Sequence, residues 1–140
     1  MTTPDPDPGY EADVRATIDR VVRGWNTKDA DLFASAFTEP HDYVAVGGRL
    51  SLDQTAAQNV AVHERIWSTI YAEGSTIAFD VVSVDRVAPG VALAVVSNRD
   101  DYVRGGERQV SESVITAVLV RTDEGWRIRQ FNNNAVRRDG

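Results

Sequence analysis

Apolar positions along the chain follow two periods, one after the other. Tyr10, Val14, Ile18, Val21, Val22 and Trp25 recur three and four residues apart, which is the spacing of one buried helix face and predicts a first amphipathic helix. Asp29 is placed to cap a second, short helix carrying Leu32, Phe33 and Phe37, and Pro40 marks where helical geometry has ended. The two helices form a corner. His41 to Val46 reads as a strand stopped by Gly47-Gly48. Ser51, with Gln54 three residues later, has the pattern of a capping box and opens a third helix running to about Tyr71. The apolar stripe of that helix is Leu52, Ala56, Val60, His63, Trp67 and Ile70.

After Gly74 the period changes to two. Four long strands are predicted, at roughly 75–87, 91–103, 107–122 and 126–136, separated by Pro89-Gly90, Gly105-Gly106 and Glu124-Gly125. Tight connections of that chemistry predict an antiparallel meander. Helices first and strands afterwards give an α+β order. The acidic, proline-bearing stretch of residues 1–9 reads as a lead-in, and residues 10–140 as one domain.

A chain of 140 residues can bury a real core without staples, and 42% hydrophobic with 26% charged residues is an ordinary globular balance. The absence of cysteine excludes a disulfide framework, a thiolate metal site and a cysteine nucleophile. With a net charge of −6, a nucleic-acid partner is not expected; the arginines at 127, 129, 137 and 138 read as a solvated face and a polar tail. No leader and no membrane-length apolar run is visible, so no membrane partner is expected and a cytoplasmic protein is the simplest reading.

Trp25-Asn26 followed by Lys28-Asp29-Ala30 and Leu32 to Phe37, then Tyr43-Val44-Ala45-Val46-Gly47-Gly48, His63, Arg86 to Leu93 and Gly125-Trp126-Arg127-Ile128, keep one order and spacing over nearly the whole chain after Gly9. In these segments the chain resembles the nuclear transport factor 2-like superfamily, in particular its SgcJ/EcaC branch near the SnoaL-like polyketide-cyclase relatives. The resemblance implies a cone-shaped α+β fold, with three N-terminal helices packed on a strongly curved antiparallel sheet and a small-molecule pocket between them, commonly in a homodimer. It also implies an association with enediyne polyketide (antibiotic) biosynthesis. It does not imply one reaction, because the superfamily contains isomerases, cyclases, dehydratases and domains that only bind.

Within that fold His63 lies on the buried stripe of the third helix, where an imidazole must find a partner. Two readings stand: a satisfied core histidine, or a general acid/base or orienting donor at the pocket wall. His41, beside Pro40, reads as a surface residue. Trp25, Tyr43 and Trp67 would surround a flat apolar ligand, or else serve as ordinary core.

Strict alternation along the last strand puts Arg127, Arg129, Phe131 and Asn133 on one face, toward water, and Trp126, Ile128, Gln130, Asn132 and Asn134 on the other. Gln130, Asn132 and Asn134 would then be pocket amides, or satisfy backbone at a strand end. The preceding strand is apolar on both faces, which calls for a second subunit as cover and predicts a homodimer through the sheet. Glu112 interrupts one of those faces, either as a pocket carboxylate facing His63 or as an edge glutamate paired with Arg104 or Arg108.

Absences narrow the chemistry. There is no G-x-G-x-x-G after a strand, no His-x-x-x-His and no G-x-S-x-G, so no dinucleotide, metal or other cofactor and no covalent serine mechanism is expected. Tyr43 to Val46 offers no acid where ketosteroid-isomerising relatives carry one. Two functions remain. One is an accessory protein holding a hydrophobic polyketide or enediyne-type intermediate; the other is a cofactor-free cyclase, isomerase or dehydratase using His63 as acid/base, with Gln130 or Asn132 polarising a carbonyl. An assembly module with a vestigial pocket is the third possibility.

Overall fold

The first helix, α1 (Tyr10–Thr27), buries Val14, Thr17, Ile18, Val21, Gly24 and Trp25, the face its spacing predicts. The structure is a computed structural model in which residues 7–136 are described. Lys28, at a left-handed φ of 56°, turns the chain so that its N–H meets the Gly24 and Trp25 carbonyls and ends α1. Asp29 then caps α2 (Ala30–Ala34), its Oδ1 accepting from the Leu32 amide at 3.0 Å. The corner closes at Gly24, where an added Cβ would lie 2.6 Å from the Phe33 nitrogen.

Phe37 does not belong to the second helix. It opens β1 (Phe37–Val44), which pairs with a further strand, β2 (Leu50–Gln54), where the sequence predicts helix. The third helix, α3 (Ala56–Ser68), starts later than expected, because its capping box is Thr55 with Gln58. Thr55 Oγ1 accepts from the Gln58 amide at 3.1 Å, and Gln58 Oε1 from the Thr55 amide at 2.9 Å. Ser51-x-x-Gln54 and Thr55-x-x-Gln58 are the same pattern four residues apart, and the Gln54 side chain is taken up by His41 instead. Leu52 is therefore an exposed strand residue and Ile70 lies past the helix end. The buried positions of α3 are Asn59, His63 and Trp67.

The meander is as predicted: β3 (Ser75–Ala88), β4 (Val91–Arg104), β5 (Glu107–Thr122) and β6 (Gly125–Ala135) are antiparallel neighbours. The chain's first strand returns to the last, β1 lying parallel to β6, which gives one sheet in the order β2-β1-β6-β5-β4-β3. Its inner face is floored by Ala92, Ala94 and Ala117, small enough for α1 to nest, with Val96, Ile115, Leu119, Trp126 and Ile128 around them. Thr17 Oγ1 donates to the Trp126 carbonyl at 2.8 Å and pins helix to sheet.

One irregularity in β6 reorders the predicted faces. Leu119 pairs with Ile128 but Val118 pairs with Gln130, so Arg129 is an extra residue, a β-bulge. Before it the expected alternation holds, with Trp126 and Ile128 inward. After it the phase reverses: Phe131 and Asn133 share the inner face with Ala117 and Ile115, while Gln130, Asn132 and Asn134 share the outer face with Val118, Thr116 and Val114. The bulged Arg129 is held by Asp42 at 3.3 Å and by Asp53 at 3.8 Å.

From the lead-in, Asp7 accepts from Trp126 Nε1 at 2.9 Å and pairs with Arg121. Residues 1–6 of that stretch and the tail arginines 137 and 138 lie outside the described residues.

Candidate functional site

Between the inner sheet face and the helices lies a cavity of about 350 Å³. Its aromatic walls come from separate elements locked to one another. Trp25, at the last turn of α1, donates Nε1–H to Ser75 Oγ at 2.8 Å and stands edge-on to Tyr71, with ring centres 5.4 Å apart. Phe33 lies against the His63 ring at 4.0 Å, and Tyr43 stacks on Phe131 at 4.9 Å across the parallel β1–β6 pair. Burial pushes the Tyr43 phenol well above its ordinary range, so it stays protonated.

Polar atoms in this cavity are few and specifically placed. His63 Nδ1–H donates to the Asn59 carbonyl one turn back at 2.9 Å, which fixes the tautomer and leaves Nε2 with its lone pair. Burial pushes this histidine down to about 4, against which the bond to Asn59 acts in the opposite sense. The ring is neutral at ordinary pH. Asp100, on β4, is the buried acid of the site. Its carboxylate accepts from Ser75 Oγ at 3.3 Å and from the Tyr71 hydroxyl, and burial, outweighing both bonds and the nearby Lys28, raises its pKa. Asn98, two residues earlier on the same face, donates Nδ2–H to Ser113 Oγ at 3.1 Å. The mouth is edged by Ala45 to Gly47 and Arg49, in the turn between β1 and β2.

His41 is fully buried, a correction to its reading as a surface residue. Nδ1–H donates to the Thr38 carbonyl at 2.9 Å, Nε2 accepts from Asn59 Nδ2–H at 3.0 Å, and Gln54 Oε1 lies 3.0 Å from the same nitrogen. Asn59 thus joins the two imidazoles, its side chain on His41 and its carbonyl on His63.

Residues 14–132 match the family model of the SnoaL-like domain. The chain belongs to that family. Solved structures with the same fold as this SnoaL-like domain include a domain of unknown function with a cystatin-like fold from Nostoc punctiforme, 24% identical at a TM-score of 0.79, covering 99% of this chain and 81% of that one. A ketosteroid isomerase-like protein from Erwinia carotovora atroseptica is 11% identical at a TM-score of 0.77, covering 94% and 99%. Aln2 from a Streptomyces species is 17% identical at a TM-score of 0.77, covering 93% of each chain. No match was found among curated proteins. The sheet is the curved, mostly antiparallel one of this cystatin-like architecture, and no helix among the described residues is long and apolar enough to cross a membrane.

Of the residues singled out in the sequence of this SnoaL-like domain, Trp25, Tyr43 and His63 line the cavity together. Trp67 backs it, packed edge-on against Trp25 at 5.6 Å and 5.7 Å from His63. Glu112 does not face His63: it lies opposite Arg99 on the outer side of the sheet, because Ser113 and Ile115 take the inner one. Gln130, Asn132 and Asn134 are turned outward by the Arg129 bulge, so none of them is a pocket amide. Asn133 and Phe131 stand in their place. The sequence reading missed Asp100, Tyr71 and Asn98. Asp100 is hidden in the run Arg99-Asp100-Asp101, and the available signal was its phase: it alternates with Asn98, Val96 and Ala94, the apolar side of β4.

Proposed function

We propose that this SnoaL-like domain binds a flat, largely apolar small molecule of the polyketide-derived kind in its inner cavity, as an accessory protein of secondary metabolism. The observation that carries this is the cavity itself. Its aromatic walls come from α1, α2, β1, α3, β3 and β6, and a few buried polar groups are fixed by second partners, the construction expected of a small-molecule site. An enediyne-type intermediate, which rests on the sequence resemblance, and a cytoplasmic setting are the finer parts of this proposal. Native mass spectrometry of freshly purified protein tests it: a discrete apolar compound released on denaturation supports it, and no mass shift across a panel of polyketide-like compounds sinks it.

A second reading, a cofactor-free enzyme moving a proton, is favoured by one specific pair. His63 and Asp100 line the same cavity, and their surroundings push their pKa values in opposite directions, leaving an uncharged base and a carboxyl group that holds its proton longer than usual. That is the division of labour acid–base catalysis uses. His63→Gln and Asp100→Asn separate the two: ligand binding survives either change, whereas turnover of a captured compound falls at least a hundredfold if the pair acts on it.

We further propose a homodimer through the outer face of the sheet. There Leu93 pairs with Val118, and Val82, Val110 and Val114 add exposed apolar surface that no helix among the described residues covers.

A further inference from the structure

Two of the buried, unpartnered side-chain atoms belong to residues lining the cavity, and both are amide oxygens. Asn98 is nine-tenths buried and its Oδ1 has no partner; Asn133 Oδ1 is likewise buried and unpartnered, and both residues line the cavity. They sit on β4 and β6 with β5 between them, Asn98 beside Ser113 and Asn133 beside Ile115. His63 adds a third acceptor, since its Nδ1–H is spent on the Asn59 carbonyl and only the Nε2 lone pair is left to a ligand. Asp100 on the same wall is an acceptor too, and the Tyr71 and Ser75 hydroxyls, which could have served as donors, are directed to its carboxylate. A buried carbonyl oxygen without a donor costs stability, so a wall that keeps two of them is set for a molecule that brings the donors.

We infer that the ligand of this cavity presents O–H or N–H donors along one edge, a hydroxylated aromatic or similar compound, rather than a carbonyl or carboxylate edge. The inference deepens the binding proposal above and rests on it. A carboxylate entering this wall would meet Asn98 Oδ1, Asn133 Oδ1 and Asp100, all electronegative. Arg49 lines the cavity as an exposed residue of the turn between β1 and β2, and Lys28, near Asp100, spends its ammonium on the Trp25 and Ser75 carbonyls. A hydroxyl would convert an orphaned amide oxygen into a satisfied one, and its own oxygen could still accept from the Tyr43 phenol.

The test is isothermal titration calorimetry with three probes of the same flat body: dihydroxynaphthalene, its dimethyl ether and naphthoate. The diol binds at least about tenfold more tightly than the ether, since only the diol can donate. Asn98→Leu and Asn133→Leu each bring the two probes to within about threefold of one another, with thermal melts showing that the variants are folded. Equal binding of diol and ether to the unaltered protein, or tightest binding by naphthoate, overturns the donor-edge inference while leaving the cavity as a binding site. Binding of none of the three overturns both.

Discussion

His63 Nδ1–H donates to the main-chain carbonyl of Asn59, one turn earlier on the same helix, at 2.9 Å. A backbone acceptor cannot move away or ionise, so the tautomer of this imidazole is set by the helix itself.

The first prediction is a pH dependence of stability. The folded-state value of His63 is pushed down from 6.5 to about 4, so between those values the unfolded chain binds more protons than the folded one. Stability from this group is fully present above pH 6.5 and is lost as pH falls toward 4, by up to about 3 kcal/mol. Urea melts from pH 4.5 to 7.5 should show this slope, and His63→Gln should flatten it.

Asp100 has the opposite sign. A carboxyl group whose folded value is raised contributes a penalty that grows as pH rises through it, because the unfolded chain gives up its proton first. Asp100→Asn keeps an acceptor for Tyr71 and Ser75 and removes the charge. It should match or exceed the parent protein by about 1 kcal/mol at pH 7.5, the advantage shrinking toward pH 4. Loss of stability at pH 7.5 would mean that the ionised carboxylate is held by Lys28 more strongly than burial opposes it.

Gly24→Ala tests the helical corner. In an open helix the change would gain up to about 1 kcal/mol from propensity. Here the new Cβ would fall 2.6–2.8 Å from the Phe33 backbone and Cβ, which a side-chain rotation cannot relieve. A net loss of about 2 kcal/mol is expected from chemical denaturation, together with weakened ligand binding, since Phe33 is a cavity wall against His63.

Leu93→Asp tests the outer face. Leu93 lies opposite Val118 in register and is 38% exposed. Sedimentation equilibrium should find the parent protein dimeric and the variant at least tenfold weaker in association, with its far-ultraviolet circular dichroism unchanged. A monomeric parent protein would remove the dimer proposal.

The fold was legible in the chain because its strongest signals are periodic: the α1 stripe, the turns at Gly90, Gly105 and Gly125, and the long alternating strands each point to one answer. Errors arose where two local solutions have the same pattern. Ser51-x-x-Gln54 and Thr55-x-x-Gln58 are equivalent as text, and only the burial of His41, which draws in Gln54, separates them. Neighbours in sequence also misled at His41 itself, whose burial is set by Thr38, Gln54 and Asn59 and not by Pro40. The site was half legible. Trp25, Tyr43 and His63 are marked by residue type and phase, whereas Asp100 becomes a site residue only once β4 is known to face the cavity there.

The bulge at Arg129 carries a consequence for how this pocket could diversify. Substitutions in the second half of β6 alter one wall position at a time, but a move of the extra residue along the strand would exchange the whole set. With the bulge displaced past Asn134, plain alternation would run on from Ile128, Phe131 and Asn133 would leave the lining, and Gln130, Asn132 and Asn134 would enter. Deleting Arg129 would instead leave Gln130 opposite Val118 and Phe131 opposite Ala117, so that the aromatic lining and the strand pairing both stay in place.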